Sequence, residues 1–206
     1  IEAALTGITA KADQGRAAVL NSGDVELGQK ATSYGTTKGA IVVNAQQSLI
    51  TNEGAIHMTG SARYDGLVAL AGGPNAAASV DNHGAISMGS VTGWGIYAQA
   101  TASVGGGNVN VDNYAEIDAA AGAGIFAWGS SHIEIDNNAT VHAASFAIQT
   151  KTDAGGTVKI FNDIFGVLRR DTTYGAAVSL FGNSGDTVTN AGVISVGDNS
   201  AIAIDM

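Results

Sequence analysis

The chain contains no cysteine and a single proline in 206 residues. Without cysteine it can hold neither a disulfide nor a thiolate metal site. Exported proteins also do without cysteine, so this absence does not fix the compartment. Charged residues are scarce too, at 13%, about half the usual share of roughly 25%. Hydrophobic residues reach 45%, which excludes disorder arising from high charge and low hydrophobicity. Basic residues are fewest of all: 9 Lys and Arg stand against 18 Asp and Glu, for a net charge of -9. Such a surface is unsuited to wrapping nucleic acid through counterion release. No apolar run approaches the roughly 20 residues of a membrane helix. Ile1 is followed by no signal-like apolar stretch, and residues 201–206 read as an unfinished strand. The expectation is a piece of a longer exported chain, cut at both ends, with any membrane anchor in the missing parts.

Glycine, by contrast, is abundant: 29 residues, about twice its usual share of roughly 7%. Much glycine with almost no proline suits tight turns between segments whose amides all donate to a ladder. An internal repeat shows what those segments are. An aliphatic residue, a spacer and an asparagine recur at Val19-Leu20-Asn21, Ile50-Thr51-Asn52, Val80-Asp81-Asn82, Val111-Asp112-Asn113, Ile135-Asp136-Asn137, Ile160-Phe161-Asn162 and Val188-Thr189-Asn190. The asparagines are separated by 31, 30, 31, 24, 25 and 28 residues. Four residues after six of them comes another aliphatic: Val25, Ile56, Ile86, Ile117, Val141 and Ile194. The copy at Asn162 slips, with Gly166 in that place and Val167 next. A third apolar segment closes each unit, as in Gly66-Leu67-Val68-Ala69, Gly95-Ile96-Tyr97-Ala98 and Gly124-Ile125-Phe126-Ala127.

Short period-two strands separated by turn residues, in a regular repeat, predict one coil of a parallel β-helix per unit. Seven coils about 4.8 Å apart would make an all-β rod roughly 34 Å long. Val19, Ile50, Val80, Val111, Ile135, Ile160 and Val188 would then form one buried aliphatic column. Asparagine is expected at the corner because it tolerates left-handed backbone and bonds locally. A leucine-rich repeat is the main competing architecture, and its consensus is absent.

Phrases such as Val80-Asp81-Asn82-His83-Gly84-Ala85-Ile86, followed by Gly95-Ile96-Tyr97-Ala98, resemble the passenger domains of bacterial type V (autotransporter) proteins. The resemblance runs from about Ala17 to Ile204, within what reads as a single β-helix fragment over residues 1–206. It implies a right-handed β-helix exported across the outer membrane, on the cell surface or released, and normally followed by a C-terminal barrel. No protease motif of the kind some passengers carry is present. The family includes adhesins, aggregation factors, enzymes and released effectors, so fold does not settle task.

Alternation selects candidate sites. With Leu67, Ile96 and Ile125 inward, Val68, Tyr97 and Phe126 point out on successive coils, as do Leu70, Gln99 and Trp128. Phe181 can join them two coils later. Soluble monomers avoid large exposed apolar patches, and aromatics anchor interfaces. The competing reading is a stripe covered by loops, or one that only helps the rod fold. Asp81, Asp112 and Asp136 form a second outward column. Oxygen ligands on adjacent coils could hold Ca²⁺, and carboxyl pairs about 5 Å apart match a retaining glycosidase. The plainer reading is a solvated edge, since aspartate favours corners. The four histidines do not group: His57 and His142 share a column three coils apart, and His83 and His132 lie elsewhere. No nucleophile elbow or Ser, His and Asp set can be placed. Gly105-Gly106-Gly107 reads as a flexible loop rather than a phosphate cradle. Arg169-Arg170 reads as a solvated loop that could otherwise grip an anionic sugar.

The expected function is therefore a non-enzymatic surface adhesin or self-association module, working through a β-helix face without a cofactor. Its partner would be a host cell-surface or matrix protein, a glycan or another copy of itself. A released virulence effector that binds a host receptor is the alternative, and a polysaccharide-cleaving β-helix enzyme comes third.

Overall fold

A computed structural model describes residues 7–28, 38–60, 63–103, 105–153, 155–172, 176–181, 185–197 and 202–206. These residues form strands and no helix, and every strand pairing is parallel. One coil illustrates the plan. Trp94–Thr101 lies in an eight-stranded sheet, here the closing sheet. Asn108–Asn113 lies in a seven-stranded sheet whose strands end on the repeated asparagines, and Ile117–Ala119 lies in a third sheet, also of seven strands. In each sheet the hydrogen-bonded neighbour is the corresponding strand of the next coil. The chain is thus a parallel β-solenoid of about 6 turns. The expected seven coils count seven asparagine corners, but seven corners enclose only six steps from one coil to the next.

The inward columns follow the repeat. Ile50, Val80, Val111, Ile135 and Ile160 are stacked in register and buried, while Val19 and Val188 at the two ends are partly buried. Leu67, Ile96, Ile125, Ile148 and Val178 do the same on the closing sheet. Each coil covers the apolar edge of its neighbour, which no coil could do alone.

The asparagines act differently from expectation. None adopts left-handed backbone; among the described non-glycine residues that conformation belongs to Asn75, in the turn after Pro74. Their side chains turn inward instead. Asn21 donates from Nδ2 to Asn52 Oδ1 at 2.8 Å, and Asn52 donates to Asn82 at 2.9 Å. The chain continues from Asn82 to Asn113, Asn113 to Asn137, Asn137 to Asn162 and Asn162 to Asn190, at 2.7–2.9 Å. From Asn52 to Asn162 each buried carboxamide uses one donor and one acceptor along the axis, so burial leaves neither unpaired. Beside this ladder the corner is too tight for side chains. A Cβ on Gly54 would sit 2.1 Å from the Gly23 carbonyl oxygen, and one on Gly84 would sit 2.0 Å from that of Gly54.

The slip at Asn162 is larger than the sequence suggested. Register pairs Asn137 with Asn162 and Val141 with Leu168, and Leu168 is fully buried. Neither Gly166 nor Val167 takes the aliphatic position. Two additional residues are therefore accommodated in this one corner.

Candidate functional site

The closing sheet brings the expected stripe into register. Val42, Val68, Tyr97, Phe126, Gln149 and Ser179 form one column, and Asn44, Leu70, Gln99, Trp128, Lys151 and Phe181 form the next. Val68 is only 1% exposed, which corrects its reading as an exposed contact residue. It lies between Val42 and Tyr97 in the column, and a Cβ on Gly39 would come within 2.7 Å of its Cγ2, so the adjoining backbone closes over it. Leu70, Tyr97, Phe126 and Trp128 are half-buried, whereas Phe181 is exposed.

The rings of the stripe are largely engaged with one another. Tyr97 and Phe126 stack at 5.0 Å, and Trp94 packs against Phe126 at 5.1 Å with a 41° tilt. Lys151 Nζ lies 4.1 Å from the Trp128 ring centroid. Tyr97 donates its hydroxyl hydrogen to Gln99 Oε1 at 2.8 Å. Ring faces paired in this way stabilise neighbouring coils. Trp94 escaped the sequence reading because simple alternation from Ile96 assigns it to the interior. At its foot, Asp65 accepts from the Trp94 amide at 2.7 Å. Burial pushes the Asp65 carboxyl up to about 6, against the opposing pull of that amide and of Arg63. Burial also raises the Tyr97 phenol, and the Asp65 charge adds to the effect.

Asp81, Asp112 and Asp136 do line up on consecutive coils of the asparagine sheet. They do not converge: among the described residues, no group of three or more His, Cys, Asp and Glu side chains could hold a metal ion. Asp81 has a partner in His83, whose Nε2 is 2.8 Å from Oδ1 and whose ring stacks on Tyr114 at 4.7 Å. Asp112 accepts from Asn110 Nδ2 at 2.7 Å. Burial first, and then the Asp136 charge, holds the Asp112 carboxyl above its ordinary range. Asp136 is raised by burial and then by Glu134 and Asp163.

His57 and His142 share a column of the third sheet, three coils apart, as expected. His142 Nδ1 lies 3.0 Å from Asp118 Oδ1, and Nε2 reaches Asp171 Oδ2. Arg169 Nε donates to Asp171 Oδ1 at 2.9 Å. The hydrogen bond from His142 is the main reason the Asp171 carboxyl is lowered. Both imidazole nitrogens are thus occupied by carboxylates in a network on the outer face. The arginine pair is not a solvated loop. Arg169 and Arg170 belong to the strand Val167–Arg170, and Arg170 is fully buried, donating from Nη2 to Thr172 Oγ1 at 3.0 Å. Gly105, Gly106 and Gly107 all have positive φ. This turn is tied to the preceding coil by hydrogen bonds from the Asn75 amide to the Gly105 carbonyl and from the Gly107 amide to the Ala76 carbonyl.

Among the described residues, a further group of exposed apolar side chains lies at the slipped corner. Ile164 is 66% exposed, Phe165 73% and Phe161 39%. The broken spacing after Asn162 was the sequence signal for it, because residues additional to a tight corner can only bulge outward. Comparison with protein-family models, with curated proteins and with solved structures returned no match.

Proposed function

We propose that this chain is a non-enzymatic, surface-exposed bacterial passenger of autotransporter type, acting as an adhesin or self-association module through the outer surface of its β-solenoid. The observation that carries this reading is the exposed Phe161, Ile164 and Phe165 cluster. A folding role accounts for the stacked Tyr97 and Phe126, because coil-to-coil contact uses their ring faces. It does not account for Ile164 and Phe165, two large apolar side chains held in solvent on the one repeated corner that carries two additional residues. Exposed apolar anchors on a stiff frame are a feature of contact surfaces, and rigidity lowers the entropic cost of contact. Beads coated with the chain should clump or adhere to epithelial cells. Beads that do neither, while the chain retains its strand-dominated circular dichroism, would overturn the proposal.

A further inference from the structure

This inference rests on the binding role just proposed and names the chemistry of the partner. The bulged corner is held at both ends. The Asp163 amide donates to the Asn137 carbonyl at 2.9 Å, and the Gly166 amide donates to the Asp163 carbonyl at 2.8 Å. The Ile164 amide donates to Asp163 Oδ1 at 2.6 Å, and Asn162 Nδ2 donates to the Gly166 carbonyl at 3.0 Å. Ile164 and Phe165 are therefore presented on a turn whose backbone is already ordered. Phe161 extends the apolar surface onto the adjoining strand, where its neighbour on the preceding coil is Asp136 and the next is Asp112.

The surroundings of this apolar knob are acidic. Asp136, Asp112 and Glu134 lie on the preceding coils and Asp163 on the turn itself, while Lys159, opposite Glu134, is the cation of this group. Burial first, and then the charges of neighbouring carboxylates, raises Asp112 and Asp136, so mutual repulsion adds to their desolvation. A cationic partner would relieve it. An acidic one, or the same face of a second copy, would intensify it.

We propose that Phe161, Ile164 and Phe165, together with the carboxylates of Asp112, Asp136 and Asp163, form a docking site for a basic, apolar polypeptide segment. Aliphatic or aromatic side chains of that segment cover the knob, and its Lys or Arg side chains pair with the carboxylates. The knob supplies contact area, and the carboxylates set orientation and partner choice.

The test uses three fluorescent probe peptides of equal length: alternating Lys with Leu and Phe, the same with Glu replacing Lys, and the same with Ser replacing Leu and Phe. Anisotropy titration against the intact chain should show binding of the first alone, weakening with salt. Ile164→Ser with Phe165→Ser should lower the affinity at least about tenfold, the equivalent of about 1.4 kcal/mol, with an unchanged melt because both side chains are exposed. Asp136→Asn with Asp163→Asn should weaken binding several-fold and flatten its salt dependence. Removing the same charge from distant coils, by Glu26→Gln with Glu53→Gln, should leave affinity within about twofold. Undiminished probe binding by the Ile164, Phe165 variant would overturn the inference, as would equal binding of the acidic probe. Sedimentation showing self-association that needs the knob, without probe binding, would overturn it in favour of a second copy. Bead adhesion that survives loss of the knob would also sink this inference while leaving the adhesive role intact.

Discussion

Removing the carboxamide of Asn113 asks whether the asparagine ladder, beyond the aliphatic columns, holds adjacent coils together. Asn113 is wholly buried; its Oδ1 accepts from Asn82 Nδ2 and its Nδ2 donates to Asn137 Oδ1, both at 2.9 Å. Asn113→Ala deletes both bonds and leaves a donor on Asn82 and an acceptor on Asn137 facing an apolar gap. Each buried polar group stripped of its partner costs about 1–3 kcal/mol, so with two such groups the variant should lose roughly 2–6 kcal/mol. Asn21 provides the contrast. It retains 7% exposure and bonds along the ladder only to Asn52, so Asn21→Ala should cost about 1 kcal/mol. Position matters as well as bond count, because coils contact only their neighbours. A break at Asn113 should separate unfolding into two phases, whereas a break at Asn21 should fray one end. Urea unfolding followed by far-ultraviolet circular dichroism reads both effects. If Asn113→Ala proved no more damaging than Asn21→Ala, the ladder would not be a coil-to-coil tie. Asn113→Asp sharpens the test, since it keeps the acceptor for Asn82 and loses the donor to Asn137. Burial would raise that carboxyl. A folded-state pKa above the unfolded value leaves stability intact in acid and removes it as pH rises through the folded value, so this variant should be weakest at neutral pH.

Asp65→Asn should stabilise the protein at pH 7 while keeping an oxygen for the Trp94 amide. The gap between about 6 in the folded chain and the ordinary 3.8 sets the gain at up to roughly 3 kcal/mol. Because the folded value is raised, the gain should be absent in acid and develop between about pH 4 and about pH 6; melts that cross this range without a changing difference would contradict it. Gly84→Ala should destabilise by roughly 1–3 kcal/mol or more through collision with the Gly54 carbonyl; an unchanged melting temperature would show that the corner has slack. Lys151→Ala should cost only about 0.5–1 kcal/mol through the lost contact with Trp128 and should alter tryptophan emission. Unchanged emission would show that the ammonium does not rest on that ring in solution.

The repeat made the interior legible because every inward position meets the same neighbours one coil above and below. Once the asparagines are aligned, the Val80, Val111 and Ile135 column follows from register alone, and so does the stacking of Leu67 on Ile96 and Ile125. The role of the asparagines was less legible, since a corner residue and an inward ladder residue have the same sequence signature. Only the three-dimensional register shows a carboxamide meeting its own kind in the next coil. The outer face was legible in register but not in exposure. Tyr97 and Val68 share a column, yet whether backbone closes over Val68, or Phe126 shields Tyr97, depends on local neighbours rather than on period.

Departures from the repeat carry more functional information than its consensus. The coil that slips at Asn162 turns Arg170 into the interior and holds Ile164 and Phe165 in solvent, an inversion of the usual sorting of charge and apolar surface. Folding explains neither half, since Ala143 fills the position of Arg170 one coil earlier and the Asn138–Ala139 turn closes the same corner without an apolar bulge. Local rules broken on an otherwise regular scaffold are expected at sites shaped by something besides stability. The same reasoning lowers the weight of the Tyr97, Phe126 and Trp128 stripe. Its rings obey the repeat, stack in register and find partners within the chain, as a structural ladder requires. If the knob is the contact surface, Tyr97→Ala with Phe126→Ala should lower the melting temperature and spare adhesion at temperatures where the rod is folded, whereas Ile164→Ser with Phe165→Ser should do the opposite. The reverse pattern in melts and bead adhesion would return the contact surface to the stripe and leave the bulged corner without a role.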